Sequence, residues 1–101
     1  MEEITKEFNQ GFDLLNSKDY ESAISLFQQD LGQNPDNFAS YNNIGLSQTY
    51  LRIDIRDKVL IESAIQHFKK AIAIADELNY QNGYPIAEVN LKWAFDELSK
   101  L

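Results

Sequence analysis

Carboxylates are the most numerous side chains in this sequence that could do acid–base chemistry, since 16 of its 101 residues are Asp or Glu. Two carboxylates share such work when they lie close together in a buried site. The pairs Asp76–Glu77 and Asp96–Glu97 are adjacent in sequence, so on a helix their side chains point in different directions. The candidates nearer the N-terminus fall mostly on outer helical faces or in a turn: Glu2, Glu3, Glu7, Asp13, Asp19 and Glu21. We interpret the acidic residues as solvated surface and predict that the protein is not an enzyme.

Residues for other site chemistries are scarce. The chain has no cysteine, which excludes disulfides, thiolate metal sites and thiol nucleophiles. Its single histidine, His67, precedes the apolar Phe68 and has no second histidine to complete a metal site. The four glycines are isolated, so they form no phosphate-binding loop, and Lys69–Lys70 is too short for a basic patch. Trp93 could stack on a sugar or a base, but a core contact of the last helix is favoured. We expect no metal and no cofactor.

The formal net charge of −7 restricts the class of partner. Nucleic-acid binding needs a surplus of Lys and Arg, so we expect no nucleic acid. An acidic surface suits a basic or amphipathic protein segment, although it also serves solubility alone. No stretch approaches the roughly 18 uninterrupted apolar residues of a membrane span. The N-terminus is too charged for a signal peptide. We therefore expect a cytoplasmic protein without a membrane partner.

Small, aromatic and proline residues recur at fixed spacing along the chain. Gly11, Ala23, Phe27 and Pro35 follow the pattern Gly-x11-Ala-x3-Phe-x7-Pro, and Gly45 begins a second set 34 positions after the first. Glycine and alanine at such positions let two antiparallel helices touch, so the spacing predicts a repeated pair of helices.

The second set is longer than the first. Ala64 and Phe68 keep the Ala-x3-Phe step, yet Ala64 lies 41 positions after Ala23 instead of 34, which indicates an insertion of seven residues. Residues 51–57 alternate apolar and charged side chains, which in isolation would suggest a strand. Because such a strand has no partner in this sequence, we favour an extended helix followed by a loop.

Apolar spacing and helix breakers predict five helices in one all-α domain. They run from about Glu2 to Asn16, from Tyr20 to Leu31, from Phe38 into the insertion, from Lys58 to Asn79 and from Pro85 to Lys100.

The repeated residues resemble those of the tetratricopeptide repeat (TPR) family, whose unit is a helix–turn–helix of about 34 residues. The resemblance covers nearly the whole chain and implies an antiparallel helix-turn-helix solenoid. Repeat one would span about residues 4–37, an elongated repeat two about 38–84, and a capping helix about 85–100. Asp30 departs from the family pattern by replacing a small residue, and Asp76 departs by replacing a proline. Lys92 replaces the small glycine, as suits a last helix with no partner beyond it.

In family members, the first helix of each repeat lines a concave groove that holds an extended or helical peptide. By position, the expected apolar anchors are Phe12, Leu46, Tyr50 and Trp93, and the expected polar contacts to the ligand backbone are Asn16 and Asn42. The other groove positions are Thr5, Phe8, Leu15, Ala39, Thr49 and Val89. The alternative is that some of these side chains fill the core between helices.

One known mode of the family is not expected here. Chaperone-binding members hold a C-terminal carboxylate with a clamp of Lys and Asn residues, and Asn43 matches the clamp asparagine of the second repeat. Phe8 and Phe12 occupy the clamp positions of the first repeat instead. The resemblance therefore implies an apolar groove with acidic flanks, which favours a basic or amphipathic peptide.

These observations favour a non-catalytic protein–protein interaction module, an adaptor that binds a peptide or helix in its groove. Two other interpretations remain open. The chain could be a small acidic inhibitor or immunity-type protein that neutralises a basic partner. It could also be a self-assembling scaffold subunit, a homo-oligomer built through the insertion or the exposed face of the last helix.

Overall fold

The computed structural model describes residues 4–55, 57–80 and 83–101, and the side chains of all of these except 52–55. The described residues form five helices and no strand, which confirms the predicted all-α class. The helices are α1 (Lys6–Asn16), α2 (Tyr20–Gln33), α3 (Phe38–Ile55), α4 (Lys58–Glu77) and α5 (Pro85–Ser99). Each helix packs against the next, and α3 also contacts α1 and α5. The result is a solenoid-like stack of antiparallel helices.

Capping residues explain where the helices differ from the predicted bounds. The prediction that α1 begins near Glu2 is wrong, because Thr5 is extended and its Oγ1 accepts a hydrogen bond from the Phe8 amide at 2.9 Å. Residues 1–3 lie outside the described part of the chain. Helix α2 continues through Gly32 to Gln33, two residues past the predicted end. Helix α4 ends at Glu77, and Asn79 takes a left-handed φ of 54°.

The insertion lengthens α3, as predicted. The helix remains continuous through Ile55, and residue 56 lies outside the described residues. Asp57 then caps α4, since its carboxylate accepts a hydrogen bond from the Val59 amide at 2.9 Å. Residues 51–55, where apolar and charged residues alternate, are therefore helical. The described residues include no strand with which this segment could pair.

A glycine facing an aromatic ring recurs in each unit and accounts for the spacing of the sequence pattern. A Cβ added at Gly11 would lie 3.0 Å from the ring of Phe27, and one added at Gly45 would lie 2.8 Å from the ring of Phe68. Both phenylalanines are fully buried. The two rings centre separate clusters of buried residues, and Leu46 packs against both clusters. The absent side chain thus lets α1 approach α2 and lets α3 approach α4.

Asp30, a departure from the family pattern, joins three helix ends. Its side chain is fully buried, and its carboxylate accepts hydrogen bonds from Thr5 Oγ1 at 2.6 Å, Ser40 Oγ at 2.6 Å, Asn37 Nδ2 at 2.7 Å and Asn34 Nδ2 at 3.3 Å. Burial raises the pKa of Asp30, but these bonds outweigh burial and hold the pKa below its usual value. A charged residue is tolerated here because its oxygens are satisfied.

The last helix covers the second core with small and aliphatic residues. Ala87 and Ala94 are fully buried, and Leu91 and Leu98 pack against the cluster around Phe68. A different side of α5 carries Ile86 and Val89, which are exposed. Of these two residues, Ile86 lines the candidate site described below.

Candidate functional site

An open groove lies between α1, α3 and α5. It encloses about 560 Å³ and reaches the turn between α1 and α2. Its lining consists of Phe12, Leu15, Asn16, Lys18, Tyr20, Asn42, Asn43, Leu46, Tyr50, Ile86 and Asn90. These residues come from positions far apart in sequence, so the stacking of the units creates the groove.

The structure brings together most of the side chains selected from the sequence. Phe12, Asn16, Asn42, Leu46 and Tyr50 line the groove. Phe12 and Tyr50 are 47% and 40% exposed, which leaves a large part of each ring free to contact a ligand. The sixth residue, Trp93, is not among the lining residues, but its ring contacts that of Tyr50. Their role in binding stays a prediction.

Three other positions carried over from the family make internal contacts and do not line the groove. Thr49 is fully buried, and its hydroxyl donates to the carbonyl of Gly45 at 2.8 Å. The ring of Phe8 packs edge-on against Phe27 at 5.6 Å. Thr5 serves the cap of α1 and Asp30. The groove position assigned to each is wrong, because closely packed helices use these side chains for internal contacts. Of the remaining positions Leu15 lines the groove, whereas Ala39 and Val89 do not.

A chain of carboxamides forms the groove's polar side. Asn90 Nδ2 donates to Asn42 Oδ1 at 3.1 Å, and Asn42 Nδ2 lies 3.5 Å from Asn43 Oδ1. Asn42 and Asn43 are nearly buried. Asn43 Nδ2 makes no hydrogen bond to the described residues, and Asn16, which also lines the groove, is exposed. In sequence, Asn90–Leu91 resembles Asn43–Ile44. The hydrogen bond from Asn90 to Asn42 cannot be read from that resemblance, because it depends on how α5 packs against α3.

Three aromatic rings from three helices form a continuous row along the groove. Tyr20 stacks on Tyr50 with ring centroids 5.4 Å apart and planes 11° apart. Tyr50 also meets Trp93 at 5.1 Å. Tyr20 is typical of the helix-packing position that begins α2, and nothing in the sequence indicated that its ring would also line the groove. The row holds the Tyr50 ring in place between two neighbours while one side remains exposed.

The electrostatics of the groove differ from those of the whole chain. No carboxylate is among the lining residues that the structure describes, although the chain carries a net charge of −7. The expected acidic flanks stay a prediction, since Asp13 and Asp19 adjoin the lining residues Phe12, Lys18 and Tyr20 in the chain. Lys18 is the charged residue of this set, and its side chain forms no hydrogen bond or ion pair with the described residues. Lys18 has a left-handed φ of 69°, and its amide donates to Leu15 at 3.0 Å.

Other chemically competent groups are engaged elsewhere. Burial lowers the pKa of His67, whose Nδ1 lies 2.9 Å from the Ser63 carbonyl and whose ring stacks on Tyr41. Among the described residues, no group of three or more His, Cys, Asp or Glu side chains is placed to hold a metal ion. No described helix is long and apolar enough to cross a bilayer.

Comparisons of the chain with protein-family models, with curated proteins and with solved structures returned no match.

Proposed function

We propose that the protein is a non-catalytic interaction module of the TPR type, which holds a peptide segment of a partner protein in the groove between α1, α3 and α5. The observation that carries this proposal is the composition of the lining, which combines the exposed aromatic rings of Phe12 and Tyr50 with several carboxamides. Such a module needs neither a cofactor nor a catalytic residue, and we propose that it acts in the cytoplasm.

The two kinds of lining residue suit the two parts of a peptide. Aromatic rings bury a large apolar area with few rotatable bonds, so the rings of Phe12 and Tyr50 can anchor apolar side chains. A carboxamide has both donor and acceptor atoms, which match the N–H and C=O groups of a peptide backbone. Asn16 from α1 and Asn43 from α3 both line the groove and offer these atoms.

A displayed random-peptide library provides a direct test. We expect the full chain to enrich a family of sequences, and we expect Phe12→Ala to weaken their binding about tenfold. Phe95→Ala is the matched control, because Phe95 is 46% exposed, similar to Phe12, but does not line the groove. Equal binding by both variants, or no enrichment by the wild-type chain, would refute the groove as the binding site.

A second candidate is the acidic antagonist of a basic protein. It is favoured by the location of the negative charge, since the described groove lining has no carboxylate and the acidic residues lie elsewhere. Binding through that outer surface would weaken strongly with salt and would be insensitive to Phe12→Ala. A captured partner would be titrated with the wild-type chain and with Phe12→Ala at several salt concentrations. Affinity that falls with salt but is the same for both chains favours the antagonist, and affinity lost in Phe12→Ala favours the groove.

A further inference from the structure

We infer that the segment bound in the groove carries a side-chain carboxylate that pairs with Lys18. This inference rests on the proposed function and names the chemistry of its partner. It differs from what the net charge suggests, because an acidic protein would ordinarily be expected to prefer a basic partner.

Charge complementarity within the groove carries the inference. Lys18 is the single charged member of the described lining, and its ammonium has no ion pair with the described residues. Peptide carboxylates would therefore meet one positive charge at this wall. A Lys or Arg side chain of a ligand would meet that same charge and would find no lining carboxylate to pair with. Like charges at close range are unfavourable, and this unfavourable contact selects against basic segments.

The backbone at Lys18 gives a second reason to assign the side chain a role. Lys18 closes the turn after α1 with a φ of 69°. This left-handed conformation is sterically unfavourable for a residue with a Cβ, whereas glycine adopts it readily. The turn itself is formed by backbone bonds, from the Lys18 amide to Leu15 and from the Asp19 amide to Leu14. The ammonium contributes to none of them. The turn would form at least as well with glycine, so its geometry does not account for lysine.

The kind of anion follows from the donors present. Phosphate groups are typically held by several arginines or by bidentate contacts, and the described lining contains no arginine. A monovalent carboxylate needs one cation and a few neutral donors, which Lys18 and the exposed amide of Asn16 supply. A C-terminal carboxylate is usually captured by converging backbone or side-chain donors. Lys18 instead lies on a turn at one wall, a position that suits an Asp or Glu within a continuous segment.

The arrangement also predicts where the acidic residue lies in the ligand. Lys18 lies between the end of α1 and Tyr20, beside the aromatic row. A peptide whose apolar side chain contacts Phe12 or Tyr50 would therefore present a nearby residue to Lys18. We expect an Asp or Glu close in sequence to an apolar or aromatic residue.

The test uses a random dodecamer library fused to phage through the peptides' C-termini, so that side chains are the only source of carboxylate in the random segment. The wild-type chain should enrich Asp or Glu near an apolar residue. Synthetic enriched peptides, labelled with fluorescein and amidated at the C-terminus, are then titrated by anisotropy. Lys18→Gln should weaken binding about fivefold, as expected for a partly exposed ion pair. Lys70→Gln, at an exposed position of α4, should leave binding unchanged.

A double-mutant cycle completes the test. Replacing the acidic residue of the peptide with Gln or Asn should weaken its binding to the wild-type chain, but should hardly change its binding to the Lys18→Gln variant. Enriched peptides that need Phe12 but contain no acid, or that bind Lys18→Gln as tightly as wild type, would refute the inference and leave the groove proposal intact. Peptides insensitive to Phe12→Ala would refute both. Enrichment confined to a library with free C-terminal carboxylates would also overturn the assignment to a side chain.

Discussion

Replacing Asp30 with alanine removes the acceptor shared by the N-terminus of α1, the C-terminus of α2 and the N-terminus of α3. Ser40 Oγ is fully buried, so without the carboxylate this hydroxyl has neither its protein acceptor nor water. Thr5 Oγ1 and Asn37 Nδ2 are partly accessible and can recover some hydrogen bonding from solvent. An unsatisfied buried donor costs about 1–3 kcal/mol, and bonds to a charged group contribute about 1.5–3 kcal/mol each. These contributions do not add fully, and we expect Asp30→Ala to lower the free energy of unfolding by about 3 kcal/mol.

Urea unfolding followed by circular dichroism measures this change. Asp36→Ala is the matched control, since Asp36 is exposed, six residues away, and makes no hydrogen bond to the described residues. For a domain of this size, a loss of about 3 kcal/mol lowers Tm by roughly 12 °C or more. A difference below about 1 kcal/mol between the two variants would show that the carboxylate does not hold the three helix ends together.

The pH dependence of stability tests the same network without deleting the side chain. The pKa of Asp30 is lower in the folded protein than its ordinary value, so the unfolded chain binds the proton more tightly. Its contribution is therefore complete above an ordinary Asp pKa of about 3.9 and is lost as pH falls through the lower folded pKa. The stability difference between the wild type and Asp30→Asn should be constant near neutrality and shrink below about pH 4. A difference that grows on acidification would contradict the assigned direction.

Three other outcomes follow from the described geometry. Gly45→Ala should lower the unfolding free energy by about 1–3 kcal/mol in the same urea assay, because its Cβ would lie 2.8 Å from the buried Phe68 ring. Gly32→Ala should raise the unfolding free energy by about 0.5–1 kcal/mol, because a Cβ at Gly32 would meet no atom within 4 Å and alanine favours the helix. Lys18→Gly should raise Tm slightly, since relief of the left-handed φ exceeds the entropy cost of glycine, and a lower Tm would show that the lysine side chain stabilises the turn. Light scattering should give the mass of one chain at high concentration, because the groove proposal needs no second copy; a dimer would favour the scaffold alternative.

Helical periodicity and glycine spacing predict most of this fold, because each reports a local requirement. A buried ring of Phe27 or Phe68 needs a glycine on the facing helix, and that requirement repeats with the unit. Helix ends are less predictable, since they depend on which polar side chain caps them. Thr5 caps the N-terminus of α1, and its hydroxyl also donates a hydrogen bond to Asp30, 25 positions away. That second contact exists only after α1 and α2 have packed.

The charge of the groove could not be predicted from the composition of the chain, because it depends on which side chains the fold brings to the groove. The net charge of −7 suggested a basic partner, yet the acidic residues fall outside the described lining while Lys18 falls inside it. Nothing local in the sequence distinguishes Lys18 from the other lysines, since its place depends on the left-handed turn that directs the chain from α1 into α2. Partner preference is set by the charges that a ligand meets at contact, and distant exposed charges are screened within about 8–10 Å. For a ligand inside the groove, Lys18 is therefore the lining charge that acts at contact, whereas the carboxylates act from outside the described lining.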